Sequence, residues 1–426
     1  MRFGRKARIV AMTFAATTLL VLLVANLALG DKRIDERVPT LYALEDPHFR
    51  RVMDVMLGPA LRPGNRAQAL VNGDEIFPAM LAAIRAARRT ITFETYVYYS
   101  GAIGAEFSRA LAERAKAGVK VHVIFDAVGA GKIDEKFVDE MKAAGVRVER
   151  YNPVRWYTLA RMNNRTHRKL LVVDGSVGFT GGAGIADEWA GDAQDPKHWR
   201  DTHFRIEGPV VAQLQAAFME NWIEITGREL HGEAYFPPLA PAGSQTAQFF
   251  VSSPGGGGES MQLMYLLSIA AATKRLRISA SYFVPDDVEV RALADAARRG
   301  VRVQIILPGA QIDSEIVRRA SRASWGGLLR AGVEIYEYQP TMYHCKVMIV
   351  DGLWVSVGST NFDSRSFSVN DEANLNILDP DFARDQERIF AEDLKRARRI
   401  TLEQWQSRPW TEKVWEHTMG LLSSQL

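Results

Sequence analysis

Apolar residues recur at helical spacing over residues 76–87 and again over 261–273, which predicts an amphipathic helix at each place. A β-rich run follows each helix, at 90–97 and at 276–283. Further strands are predicted at 119–125 and 301–307. Helical stretches lie between the strands and stop at Gly118, Gly145, Gly300 and Gly332, as helix C-termini often do. The text itself repeats. "AARRTITFETYVYY" (86–99) pairs with "ATKRLRISASYFVP" (272–285), and "ERAKAGVKVHVIFD" (113–126) with "DAARRGVRVQIILP" (295–308). "AAGVRVERYNP" (143–153) pairs with "RAGVEIYEYQP" (330–340). Matched segments in one order indicate an internal duplication. Strand–helix alternation makes each copy α/β, with mixed sheets flanked by helices. "PPLAPAGSQ" (237–245) reads as a linker. The expected organisation is an N-terminal segment 1–30, a linker 31–65, repeat one at 66–236, a linker 237–247, repeat two at 248–400 and a tail 401–426.

A chain of 426 residues has room for two domains. Its 47% hydrophobic and 24% charged content is ordinary for a globular protein, and a net charge of +3 says little about partners. Charge is uneven, however. Residues 147–169 hold seven Lys/Arg against the single acid Glu149, which reads either as a solvated loop or as a patch that attracts phosphate. The lone Cys345 excludes an intramolecular disulfide and a cysteine-rich metal site. "SSPGGGG" (252–258) lacks the Lys-Ser/Thr ending of a phosphate loop and reads as a plain loop. At the start, Arg2, Arg5, Lys6 and Arg8 precede an uncharged run over 9–30. That run matches the ~20 residues needed to cross a bilayer, and predicts a single-pass anchor with a cytoplasmic N-terminus and the rest of the chain outside. Ala28 and Gly30 would also suit cleavage of a signal segment.

The most informative repeat is "THRKLLVVDGSVGFTGG" against "YHCKVMIVDGLWVSVGS". His167, Lys169 and Asp174 recur as His344, Lys346 and Asp351, and Gly181–Gly182 recurs as Gly358–Ser359. In a strand, residues i and i+2 share a face, so each His stands beside its Lys while Cys345 points the other way, into packing. Asp174–Gly175 and Asp351–Gly352 are hairpin-turn signals, so turn formation alone accounts for these two acids. Two similar halves can bring both His-x-Lys strands to one pocket about a pseudo-twofold axis. Such a pocket is cationic, titrates near neutrality and suits a phosphodiester. One neutral His can attack phosphorus while the other protonates the leaving alkoxide. The lysines, with backbone and hydroxyl groups of the small pairs, can hold the non-bridging oxygens. This chemistry calls for no metal or other cofactor.

These paired His-x-Lys-x4-Asp motifs resemble the phospholipase D superfamily. "NGDEIFPAMLAAI", "NNRTHRKLLVVDG", "WRDTHFRIEGPVV", "SYFVPD" and "GSTNFDSRSFSVNDEANL" resemble, more narrowly, the bacterial cardiolipin synthases. The likeness runs over about residues 70–400. It implies His167, Lys169, Asp174, His344, Lys346 and Asp351 as the catalytic set. It also implies a phosphohistidine on His167, His344 as acid then base, and Gly182, Ser359 and Asn361 at the phosphate. A supporting acid is implied for each histidine, Glu372 in the second half and Asp201 in the first. Gly184 stands where this family commonly has Asn. Either the pocket tolerates the lost amide, or its two halves are unequal.

The resemblance implies transfer of a phosphatidyl group between two phosphatidylglycerol molecules at a bacterial inner membrane, with anionic phospholipids rather than nucleic acid as partners. Trp156 and Tyr157 in the basic stretch, and Trp405, Trp410 and Trp415 in the tail, suit a bilayer interface. A membrane-tethered hydrolase or nuclease of the same superfamily, and a non-catalytic phospholipid-binding protein, are the competing readings.

Overall fold

The computed structural model describes residues 4–28, 34, 36–153, 164–253 and 259–420. Trp156 and Tyr157 lie outside them, as do residues 254–258 of the glycine-rich loop.

Before the repeats come α1 (Arg5–Ala28) and α2 (Pro47–Met56). The first half runs β1 (Arg62–Val71), α3 (Asn72–Ala86), β2 (Thr90–Thr95), α4 (Ala102–Lys116), β3 (Lys120–Asp126), α5 (Glu135–Ala143) and β4 (Arg147–Tyr151). It continues with β5 (Leu170–Val173), β6 (Val177–Gly181), β7 (Thr202–Glu207) and α6 (Val211–Thr226). The second half opens with β8 (Gln245–Ser252), α7 (Glu259–Ala271), β9 (Arg275–Ala280), β10 (Phe283–Val284), α8 (Asp287–Arg298), β11 (Arg302–Pro308), α9 (Glu315–Arg330) and β12 (Glu334–Tyr338). Then follow β13 (Lys346–Val350), β14 (Trp354–Gly358), β15 (Phe362–Asp363), α10 (Ser364–Ser368), β16 (Glu372–Leu378), α11 (Pro380–Lys395) and β17 (Ala397–Ile400). The tail forms α12 (Leu402–Gln406) and α13 (Trp410–Gly420).

The expected helices and strands are present, and Gly118, Gly145, Gly300 and Gly332 close their helices at φ of 90–99°. The two repeats do not keep separate sheets but share one of fifteen strands, ordered β17-β12-β11-β9-β13-β14-β16-β8-β1-β7-β6-β5-β2-β3-β4. That order is the two repeats set back to back about the β8–β1 seam. The seam is antiparallel, with Arg62 opposite Ala247 and Asn65 opposite Gln245. Joining there covers two edges that would otherwise expose unpaired backbone groups.

The core follows the same plan. One cluster fills the outer face of the first half around Phe93, Phe107 and Phe125, and another fills that of the second around Leu276, Ile305 and Trp354. A third lies on the opposite face and belongs to both halves, with Phe204 and Phe218 from the first and Phe249, Ile349 and Phe390 from the second. Docking of the halves is therefore rigid, because their separation would open a shared apolar core. The stretch expected as a linker at 31–65 also packs: α2 buries Phe49 and Met53 in the second-half core, with Phe49 edge-on to Trp354 at 5.2 Å.

The predicted anchor is not supported. The helix α1 does form, over Arg5–Ala28. Among the described residues no helix is long and apolar enough to cross a membrane. The described apolar side chains of α1, including Ile9, Val10, Phe14 and Leu19, are exposed rather than packed.

Candidate active site

Each histidine is set by a bridge between the halves. Just before β5, Thr166 pairs in parallel with Asp371; the His167 N–H donates to the Asp371 carbonyl at 2.9 Å and the Asp371 N–H to that of Arg165 at 2.9 Å. Just before β13, Tyr343 pairs with Arg200; the His344 N–H donates to the Arg200 carbonyl at 2.7 Å and the Arg200 N–H to that of Met342 at 2.9 Å. These two bridges are pseudo-symmetric. They place both His-x-Lys segments against one cavity of about 380 Å³, lined by His167, Lys169 and His344 together with Tyr96, Arg165, Trp189, Trp199, Asn361 and Arg365.

The bridges also cross the supporting acids. Glu372, expected to serve the second half, holds His167: its carboxylate oxygens lie 2.9 and 3.1 Å from Nδ1. Asp201, expected to serve the first half, holds His344, with Oδ2 2.7 Å from Nδ1. Each half thus completes the other's histidine. Both acids are fully buried. Burial works against their ionisation, but the paired histidine, the nearby lysine and their hydrogen bonds outweigh it and hold both below the usual carboxylate range. An ionised acid accepts the Nδ1 proton, which leaves the Nε2 lone pair of His167 for the pocket, while the Nε2 of His344 lies 3.2 Å from the Lys346 Nζ.

Burial pulls His167 down to about 4 and His344 to about 3, and Lys169 and Lys346 push the same way. The lysines are buried as well. The Lys169 Nζ donates to the His167 carbonyl at 2.8 Å and faces the Tyr96 ring at 5.8 Å. The Lys346 Nζ donates to the His344 carbonyl and to Ser281 Oγ, both at 2.8 Å. Burial brings Lys169 down to about 7, although Glu372 opposes the shift. The two lysines face the two histidine-paired carboxylates, while Arg165 and Arg365 line the same cavity with Asp313 and Asp363. Entry of one phosphodiester anion favours one added proton, and a histidine can take it.

Asp174 and Asp351 are not in this pocket. Asp174 accepts the N–H groups of Arg88, Arg89 and Thr90 at 2.7–3.2 Å, and Asp351 those of Thr273, Lys274 and Arg275 at 2.8 Å. Both sit at positive φ in their hairpin turns, and the length of β5 or β13 separates each from its histidine. They are positioning residues that pin the far end of each His-x-Lys strand to its neighbour. Asp174→Ala is expected to cost about 2–3 kcal/mol, since hydrogen bonds to a charged group are lost. The denaturation midpoint should fall while turnover per folded molecule persists. Unchanged stability with lost turnover would restore a catalytic role.

Gly182 and Ser359 do not present free groups to phosphate either. Their N–H groups donate to the Thr202 and Ala373 carbonyls, and the Ser359 hydroxyl donates to Glu372. Asn361 does line the cavity, with Oδ1 accepting from Ser281 at 2.8 Å. Cys345 is buried in the shared core, as expected.

A duplicated α/β chain that closes two His-x-Lys segments over one anion-sized pocket is a phospholipase D-superfamily architecture, a phosphatidyltransferase by the relatives it has. Residues 80–222 and 265–394 match the family described as cardiolipin synthase, PLD-like domain, and the chain belongs to that family. A cardiolipin synthase of Geobacillus kaustophilus is 36% identical over 386 residues, covering 89% of this chain and 77% of its own. Cardiolipin synthase A of Pseudomonas fluorescens is 36% identical over 341 residues, covering 80% and 71%. The crystal structure of a phosphatidylserine synthase of Haemophilus influenzae shares the fold, with a TM-score of 0.66 over 84% of this chain and 95% of that one, at 15% identity.

Sequence reasoning did not find Tyr96, Trp189, Trp199 or Ser281. Trp199 had a faint signal, two places before Asp201 in "WRDTH"; Ser281 opens the stretch "SYFVPD" and Tyr96 lies in the repeated 86–99 segment, but neither was singled out as a site residue.

Proposed function

We propose that this enzyme makes cardiolipin from two phosphatidylglycerol molecules, with release of glycerol, through a phosphatidyl–His167 intermediate. The observation that carries the reading is the crossed pair of acid–histidine contacts on one pocket, which equips two imidazoles for opposite tasks. His167 Nε2 attacks phosphorus as the P–O bond to the glycerol headgroup breaks, and His344 gives that oxygen a proton. A hydroxyl of the second phosphatidylglycerol then gives its proton to His344 and attacks phosphorus as the P–N bond breaks. Lys169, Lys346 and Asn361 are placed to stabilise charge on the non-bridging oxygens. His167 is assigned the attack by its place in the first motif. The substrates are bilayer lipids, and the exposed apolar side chains of α1 offer it a membrane-contact surface.

Product analysis with labelled phosphatidylglycerol in detergent micelles tests this. Cardiolipin and glycerol are expected; phosphatidic acid alone would mean a hydrolase, and no turnover a binding protein. The pH profile of kcat/KM should carry two limbs. Attack needs neutral His167, so activity is lost as pH falls through about 4. His344, pulled down to about 3 in the free enzyme, must take up the proton it gives, so kcat/KM declines as pH rises beyond that limb, and more steeply through about 7 as the Lys169 ammonium is lost. With substrate bound, the phosphodiester anion stabilises the ammonium, so the alkaline limb of kcat should lie higher.

A further inference from the structure

The duplicated halves are unequal at the pocket, and the inequality gathers on His344. The Trp189 ring stands edge-on to His344 at 5.2 Å, the Trp199 ring lies against it at 5.4 Å, and the two indoles are 4.4 Å apart. Among the described residues His167 has the Tyr96 ring alone, at 5.2 Å, and Arg165 and Arg365 line the same cavity. Two small residues make room for Asp201 and for Val97 with Trp189. A Cβ at Gly182 would come within 2.2 Å of Asp201 Oδ1, so no hydroxyl can stand there as Ser359 stands beside Glu372. Trp189 Nε1 supplies the missing donor, at 2.9 Å from Asp201 Oδ2. A Cβ at Gly184 would come within 2.7 Å of Val97 and 3.2 Å of Trp189. The family's usual Asn therefore has no room here, and its absence goes with the indole.

Trp189 is buried and tied to Asp201, which makes it a positioning residue. Trp199 is half-buried and faces the cavity. Resting on the functional reading above, we infer that Trp199, backed by Trp189, makes the His344 end of the pocket an apolar glycerol-binding wall that keeps water from this histidine. The phosphatidyl–His167 bond is then resolved by a lipid alcohol rather than by water. Indole faces pack against the C–H edges of a glycerol held between them, and they offer water no hydrogen bond in that direction. Bulk water is so concentrated that transfer to a lipid requires both effects, exclusion and positioning. The balance of bonds is the same for either acceptor: its O–H proton passes to His344, an O–P bond forms and the P–N bond to His167 breaks.

Both products arise from one intermediate, so their ratio reports the acceptor step whatever the rate of the first step. The experiment uses the full chain with labelled phosphatidylglycerol in detergent micelles. Trp199→Ala is expected to raise phosphatidic acid relative to cardiolipin by about tenfold or more, the scale on which one altered pocket contact discriminates. Trp199→Phe keeps an apolar face and should restore most of the wild-type ratio. Trp199→Gln removes the aromatic face and offers hydrogen bonds to water, and should behave like Ala. A wild-type ratio in the Ala or the Gln variant overturns the inference, as does an equal loss of both products. If the unmodified enzyme makes no cardiolipin, the functional reading itself fails, and that result is separable from the variants.

Discussion

His167→Ala is expected to lower cardiolipin formation by about 10⁴-fold or more and to leave no phosphatidyl group on the protein. Removing a covalent nucleophile forfeits the two-step route altogether, and the residual rate reflects binding and charge stabilisation alone. The effect should exceed that of losing either lysine, because each lysine is one of several groups that balance charge. The measurement is single-turnover labelling with phosphate-labelled substrate, quenched in base, where a phosphoramidate survives. His344→Ala supplies the control. It keeps the nucleophile and loses the proton donor, so labelling should be slow but present, and cardiolipin should be nearly absent. The pseudo-twofold axis makes the opposite assignment geometrically conceivable, since both imidazoles are buried, acid-paired and neutral. Labelling that persists in His167→Ala and vanishes in His344→Ala would exchange the two roles and move the aromatic wall to the nucleophile.

Much of this site could be read from the chain, for a local reason. His-x-Lys puts two side chains on one face of a strand, and an exact repeat of that spacing survives any arrangement of the halves. The hairpin reading of Asp174 and Asp351 was legible for the same reason, as Asp-Gly in a turn depends on four residues. What stayed hidden depends on pairing between distant segments. The β8–β1 seam is built from residues 62–65 and 245–247, whose Pro, Gly and polar composition reads as linker. The crossing of Glu372 and Asp201 follows from the bridges at Thr166–Asp371 and Arg200–Tyr343, and local similarity assigns each acid to its own half. Gly184 was visible as a departure, but its cause, the space taken by Val97 and Trp189, exists only in the folded chain.

The crossing makes its own prediction, because the two acids serve different steps. Asp201→Asn should cut turnover by about 10³–10⁴-fold, the scale seen when the acid behind a catalytic histidine becomes an amide and the wrong tautomer is held. Glu372→Gln should cut it comparably. Rates alone cannot separate them, and leaving-group chemistry can. Glycerol leaves only if His344 protonates it, whereas a nitrophenolate departs without a proton. A phosphatidyl ester of nitrophenol should therefore bypass Asp201 in the first step. Asp201→Asn should then show a near-normal burst of nitrophenol, one equivalent per site, followed by stalled release, because the acceptor alcohol still needs a base. The phosphatidyl group should remain on the protein during the stall. Glu372→Gln should show no such burst, since the defect lies in the His167 nucleophile and a better leaving group does not repair it. If each acid served the histidine of its own half, the two variants would exchange these signatures. With His167 established as the labelled residue, a burst in Glu372→Gln and none in Asp201→Asn would sink the crossed arrangement as the working one, whatever distances the resting structure shows.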